Sequence, residues 1–211
     1  MSDDAINLTS EVLSSGYVTQ GPEVEKFEQK LKNYFSNESV VSVNSATSGL
    51  HLIFHMLKNF GLGPEKVKID SMDDYILTTP LTCTASNWPI LSNDLNLKWV
   101  DVDPNTCNMS LDDLESKLNK NTKAVLVVHW GGYPVDLDRL KSIQQNFKEK
   151  YGFKFVIIED SSHAFGSYYK NEMIGNYGNI NVFSFQAIKH LTSVDGGCVN
   201  FNFEEDVERA K

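Results

Sequence analysis

The run Phe183-Ser184-Phe185-Gln186-Ala187-Ile188-Lys189-His190 places a lysine just after a strand-like segment, and Phe155-Val156-Ile157-Ile158-Glu159-Asp160 ends an apolar run on a carboxylate. A lysine amine forms a Schiff base with an aldehyde, and an aspartate holds a proton on a pyridine nitrogen so that the ring accepts electrons. These are the two protein groups that pyridoxal phosphate needs most. Each residue alone has an ordinary explanation: a strand-end aspartate caps the following turn, and a lone lysine is a solvated surface group. Desolvation beside a bound cofactor is what makes such an amine a usable nucleophile. His163, three positions after Asp160, is placed to reach back over the same site, or to serve as a hydrogen-bonded structural histidine. Ser184, five positions before Lys189, lets a hydroxyl and the amine face one cavity from opposite ends of a turn, with Thr192 and Ser193 as further donors.

A phosphate needs its own seat. Asn44-Ser45-Ala46-Thr47-Ser48-Gly49-Leu50 joins a strand to a helix; small residues there allow close backbone approach, and free amides at a helix start attract anions. Such turns are common and many bind nothing. The segment lacks the GxGxxG spacing of a dinucleotide fold and the GK[ST] of a P-loop, so nicotinamide binding and nucleotide hydrolysis are poorly supported. His51 and His55 form an i,i+4 pair without the glutamate of an HExxH site, so no metal centre is expected. Trp88, Trp99 and Trp130 read as core or pocket-wall residues. The loop His129-Trp130-Gly131-Gly132-Tyr133-Pro134 follows a strand and reads three ways: it holds Asp160, lines the substrate cavity, or is a structural turn only.

The elements that must position these groups alternate from about residue 40. Strands are expected at 40–44, 75–79, 97–102, 124–129 and 153–159, with shorter ones at 167–169, 181–184 and 198–201. Helices are expected at 46–60, 85–91 and 136–151, and a short helix capped by Ser110 carries Leu111, Leu114 and Leu118. Strand–helix alternation with short connections predicts an α/β sheet, mostly parallel. Ligands of such sheets sit beyond the carboxyl ends of strands, where Asn44, Thr79, His129 and Asp160 all fall. No repeat, low-complexity tract or linker interrupts the pattern.

The 211 residues suffice for one domain with a full core, and 41% hydrophobic with 22% charged residues is ordinary for a water-soluble globular chain. A formal net charge of −9 disfavours nucleic acid as a partner. Cys83, Cys107 and Cys198 make neither a disulfide framework nor a CxxC pair and read as reduced thiols of a cytoplasmic protein. Met1-Ser2-Asp3-Asp4 has no basic, then apolar, secretion signal, and no apolar run approaches the ~20 residues of a membrane span.

Four segments in order resemble the sugar aminotransferases of the DegT/StrS family, over about Gly16 to Lys211. Gly21-Pro22-Glu23-Val24-Glu25-Lys26-Phe27-Glu28 is similar to the family's GPxVxxFE segment, and Ser45 to Leu50 to its SGTxAL phosphate loop. Glu159 to Gly166 resembles EDAAHAxG, and Ser184 to Gly197 resembles SFxxxK…EGG. The resemblance implies the aspartate-aminotransferase fold, a three-layer α/β/α domain with a mostly parallel mixed sheet. Residues 1–211 would be its pyridoxal-phosphate-binding large domain, with an N-terminal arm over about 1–38 and the C-terminal small domain absent. It implies that Lys189 bonds the cofactor and shuttles protons, Asp160 pairs with the pyridinium nitrogen, and His163 approaches the ring near its phenolic oxygen. Ser184 and Thr47, with the amides around Ala46 to Ser48, would hold the phosphate. The implied reaction moves an amino group from glutamate to a keto sugar on a nucleoside diphosphate, in amino-sugar or surface-polysaccharide biosynthesis, in a homodimer. Cys83 stands where relatives often place a ring-stacking aromatic, leaving stacking to Trp88 or elsewhere, and Asp195 replaces a glutamate. The family's sugar dehydratases carry histidine in place of the lysine; dehydration, or a truncated domain that binds cofactor without turnover, are the alternatives.

Overall fold

Short β-branched and aromatic runs pair into one seven-stranded sheet. In this computed structural model, which describes residues 2–201 and 203–211, the strands are β1 (Val40–Val43), β2 (Tyr75–Thr78), β3 (Asn96–Trp99), β4 (Thr122–Val128), β5 (Val156–Asp160), the small hairpin β6 (Tyr168–Tyr169) and β7 (Glu172–Met173), then β8 (Ile180–Ser184) and β9 (Gly197–Asn200). The helices are α1 (Asp3–Ser15), α2 (Pro22–Phe35), α3 (Ala46–Asn59), α4 (Thr84–Leu91), α5 (Leu111–Lys117), α6 (Leu137–Tyr151) and α7 (Glu204–Ala210).

The sheet order is β1-β9-β8-β5-β4-β2-β3. Strands β3, β2, β4, β5 and β8 are mutually parallel, and β9 runs antiparallel to both β8 and β1. It is the mostly parallel mixed sheet expected. Because side chains alternate along a strand, each central strand feeds two separate cores. Val125, Val127, Ile157 and Phe183 face one layer with Leu111 and Leu114 of α5, Leu140 and Phe147 of α6, and Leu31 and Phe35 of α2. Ala124, Leu126, Ile158 and Val182 face the other, with Leu50, Ile53 and Leu57 of α3, Ile90 of α4 and Val207 of α7. Helix starts are fixed by side-chain caps, Ser45 on α3, Ser110 on α5 and Asp136 on α6, each accepting from an otherwise orphaned amide. The segment expected as an N-terminal arm holds two helices; α1 buries no residue, whereas α2 packs Leu31 and Phe35 into the core.

Three expectations need correction. Strand β3 ends at Trp99 rather than 102, because Ser110 donates to the Asp101 carbonyl and the Asp113 carboxylate accepts from the Asp101 amide, turning the chain off the sheet edge. Strand β5 begins at Val156 rather than Phe153. Phe153 packs edge-on against Phe147, and the Lys154 amide is held by Glu65. Trp88 and Trp99 are 63% and 48% exposed, so neither is a core residue; Trp99 lies on the edge strand, where one face of the ring meets solvent. Among the described residues no helix is long and apolar enough to cross a membrane.

Ile158 is fully buried in the central strand, two residues before the end that carries Asp160. Ile158→Ala is expected to lower unfolding stability by about 2–5 kcal/mol through lost burial and an unfilled cavity, measured by urea denaturation.

Candidate active site

Parallel strands that end together make a mouth, and the helices starting there supply amides. A cavity of about 440 Å³ opens at that mouth, bounded by the ends of β4, β5 and β8 and by the starts of α3 and α4. Lys189, Asp160, His163, Ser184, Ala46 and Thr47 all line it. These residues come from chain segments more than a hundred positions apart, and the register that joins them is direct: Val128 pairs with Asp160, and Asp160 with Val182.

Asp160 closes β5 and is 5% exposed. A buried carboxylate needs donors, and both oxygens have one: Ser86 donates to Oδ2 at 2.6 Å and the Ser162 amide to Oδ1 at 3.0 Å. The Ser86 hydroxyl, its hydrogen spent on Asp160, accepts from Thr82 Oγ1 at 2.7 Å. Sequence reasoning missed Ser86, Ser162 and the wall residues Thr82 and Gln186. No local signal pointed to them: Thr82 precedes the Cys83 cap of α4, and Ser86 meets Asp160 across 74 positions.

Lys189 sits half-buried in the loop between β8 and β9. That loop is tied to itself rather than left free. The Lys189 amide donates to the Gln186 carbonyl (2.9 Å), the Ile188 amide to Gln186 Oε1 (3.1 Å), and the Phe185 amide to the Gly196 carbonyl (2.9 Å). Thr192 and Ser193, expected as further donors to the cavity, instead brace the loop: Thr192 Oγ1 donates to the Phe185 carbonyl and Ser193 Oγ to that of Asp195. At the loop's end Gly197 is obligatory, because a Cβ there would stand 2.7 Å from both the Ala46 nitrogen and the Phe183 carbonyl oxygen.

His163 is half-buried, and its imidazole is held below the usual histidine range. Burial is the main cause; the Lys189 ammonium and His190 add to it, and the Asp160 carboxylate opposes them. His163, Lys189 and Asp160 line the same cavity.

The amides of Ala46 and Thr47 lie in the first turn of α3, where no preceding helical carbonyl is available. Ser48, expected beside them, does not line this cavity. Its amide is taken by Ser45 Oγ at 3.1 Å and its hydroxyl pairs with Ser45 Oγ at 3.0 Å; it borders a recess with Glu28 and Asn44 on the other side of the turn. Nor does Trp88 supply a stacking face. Cys83 occupies the expected position on the wall, and among the described lining residues His163 carries the only ring, backed by Trp130 at 6.1 Å between centroids. The cavity is thus lined by an acid, an amine, an imidazole, a hydroxyl and the first residues of α3, the kinds of group that an aromatic phosphate bearing an aldehyde requires.

Elsewhere, His51 Nδ1 pairs with Ser92 Oγ and His55 with Asn59, and His129 points into the core rather than the cavity, its Nε2 against Glu159.

The profile of the DegT/DnrJ/EryC1/StrS aminotransferase family matches residues 1–211. The chain belongs to that family. Among solved structures, AtS13 from Actinomadura melliaura is 47% identical with a TM-score of 0.90, covering 99% of this chain and 53% of that one. The sugar aminotransferase CalS13 from Micromonospora echinospora is 41% identical with a TM-score of 0.90, covering 100% and 54%. The spore coat polysaccharide biosynthesis protein SpsC of Bacillus subtilis is 33% identical over 208 residues, 99% of this chain and 49% of SpsC. The chain thus spans about half the length of the relatives it matches.

Two outcomes follow. Because folding depresses His163 below its unfolded value, near 6.5, the unfolded chain binds the extra proton first. The neutral ring's contribution is therefore full above that value and lost as pH falls through it toward the folded one. Stability measured against pH should show this acid-side loss in the parent and not in His163→Gln. Ser86→Ala removes the donor to a buried carboxylate and should cost about 1.5–3 kcal/mol by chemical denaturation at neutral pH.

Proposed function

We propose that residues 1–211 are the cofactor-binding large domain of a pyridoxal-phosphate-dependent sugar aminotransferase. The reading rests on one observation: an amine, an acid, an imidazole and the amide-lined start of a long helix border a single cavity. Bound there, pyridoxal phosphate supplies an electron sink through its pyridine ring. Every other part of the chemistry belongs to the chain's own residues. Asp160, its carboxylate accepting from Ser86 and the Ser162 amide, would hold a proton on the ring nitrogen. Lys189 would offer its amine as the nucleophile toward the cofactor's aldehyde and would hold or move a proton at the reacting carbon. His163, on the cavity wall, would approach the cofactor near its phenolic oxygen. Ser184, Thr47 and the Ala46 and Thr47 amides would hold the phosphate at the positive end of α3.

The amino donor in this reading is glutamate and the acceptor a keto sugar carried on a nucleoside diphosphate, within polysaccharide or amino-sugar biosynthesis; the working form is a cytoplasmic homodimer. The family name and the sugar aminotransferase CalS13 support the reaction class. Lys189 rather than histidine at the nucleophile position favours amination over dehydration, and His190 is exposed to solvent.

Incubation with pyridoxal phosphate should turn the protein yellow, and borohydride should fix the label on the peptide containing Lys189. Lys189→Ala should abolish that label. A label on another lysine, or none on the parent chain, contradicts the assignment. Analysis of the sugar product formed from a nucleotide keto sugar with glutamate present separates amination, which yields an amino sugar, from dehydration, which yields a sugar that has lost a hydroxyl.

A further inference from the structure

The most deeply buried ionisable pair in the described chain touches nothing in the cavity. His129 and Glu159 are both fully buried, with His129 Nε2 2.7 Å from Glu159 Oε2. Glu159 precedes Asp160 in β5, so the two carboxylates point to opposite faces of the sheet. On the far face Glu159 is satisfied at both oxygens: Oε2 faces His129, and Oε1 accepts from Asn179 Nδ2 at 2.6 Å. The Val135 amide donates to His129 Nδ1 at 3.1 Å. A backbone N–H only donates, so Nδ1 accepts and the ring's hydrogen is on Nε2, aimed at Glu159.

Both members connect to the cavity through backbone. The His129 amide donates to the Asp160 carbonyl at 3.2 Å, tying the ends of β4 and β5. The turn that follows His129 runs under the loop bearing His163. Gly132, at φ 83°, lies where a Cβ would stand 2.6 Å from the His163 carbonyl oxygen, and Ser167 Oγ donates to the Gly132 carbonyl at 2.9 Å. The Gly132 amide in turn donates to the His129 carbonyl at 3.0 Å. One histidine thereby has its backbone bound to the residue that carries the acid and its following turn packed on the residue that carries the imidazole.

We propose that His129, Glu159 and Asn179 form a positioning clamp on the side of the sheet away from the cavity, which sets where Asp160 and His163 stand within it. None of the three is a catalytic residue; each acts through the two that face the cavity. The purpose assigned to the clamp rests on the cofactor reading above, whereas its geometry does not.

The test uses Glu159→Gln and the milder Asn179→Ala, each compared with the parent chain. The first readout is the NMR titration of the His163 ring in cofactor-free protein, assigned with His163→Gln. The charged groups facing that ring are Lys189, Asp160 and His190. Removing the negative charge of Glu159 would by itself push His163 further down. The clamp predicts the opposite: the ring leaves its buried place and titrates closer to an ordinary histidine, with a smaller movement in Asn179→Ala. The second readout is pyridoxal phosphate affinity by absorbance, expected to weaken about tenfold in Glu159→Gln, the lower end of what loss of an outer positioning partner costs at metal centres. Folded variants with an unchanged or lowered His163 titration and parental affinity overturn the proposal. If Glu159→Gln does not fold, Asn179→Ala decides by the same two measurements. If the parent itself takes up no pyridoxal phosphate, the cofactor reading fails, and the His163 titration alone still decides the clamp.

Discussion

The site depends on a constraint of strand geometry: consecutive residues of β5 must face opposite ways. Two adjacent carboxylates at the end of the central strand would repel if they shared a space. Alternation separates them, sending Glu159 into one layer and Asp160 into the cavity. Each then needs its own donors, because an unpaired carboxylate in a protein interior is costly. Glu159 finds His129 and Asn179; Asp160 finds Ser86 and the Ser162 amide. The two hydrogen-bond sets lie back to back through one strand, so the position of the acid is determined from both faces of the sheet.

The remaining parts of the site follow from the same topology. Parallel strands β4, β5 and β8 end at one edge, and the chain leaves that edge in loops. Loop residues therefore converge there, and the helix α3, running back along the sheet after β1, begins with its amides toward the same opening. The antiparallel strand β9 closes the loop that carries Lys189, and Gly197 at its start lets that loop lie against the first residue of α3. Amine, acid and the first turn of α3 share a cavity because three connections end at one sheet edge.

The features legible in the sequence were local ones. The α/β class, the start of α3 at Ala46, the short helix capped by Ser110, the span of α6 and the strand-end location of Asp160 each rest on spacing or capping within a few residues. Lys189, Asp160, His163, Ser184, Ala46 and Thr47 were recognisable because short segments carried them in order. What escaped reading depended on register and distance. Ser86 meets Asp160 across 74 positions and His129 meets Glu159 across 30, and neither pairing leaves a mark in either segment. Ser48 was grouped with Ala46 and Thr47 by the family resemblance, yet the Ser45 cap takes its amide. Trp88 and Trp99 were read as core or pocket wall from residue type, which does not tell an edge strand or a short helix's outer face from the core.

The central claim is that Asp160 and the first turn of α3 grip opposite ends of one ring-bearing phosphate beside Lys189. The most direct measurement is a crystal structure of the protein with pyridoxal phosphate bound. The account predicts the ring nitrogen within about 2.6–3.2 Å of an Asp160 carboxylate oxygen, with the phosphate on the amides of Ala46 and Thr47. A cofactor bound with its phosphate elsewhere, or with its ring nitrogen turned away from Asp160, would contradict it.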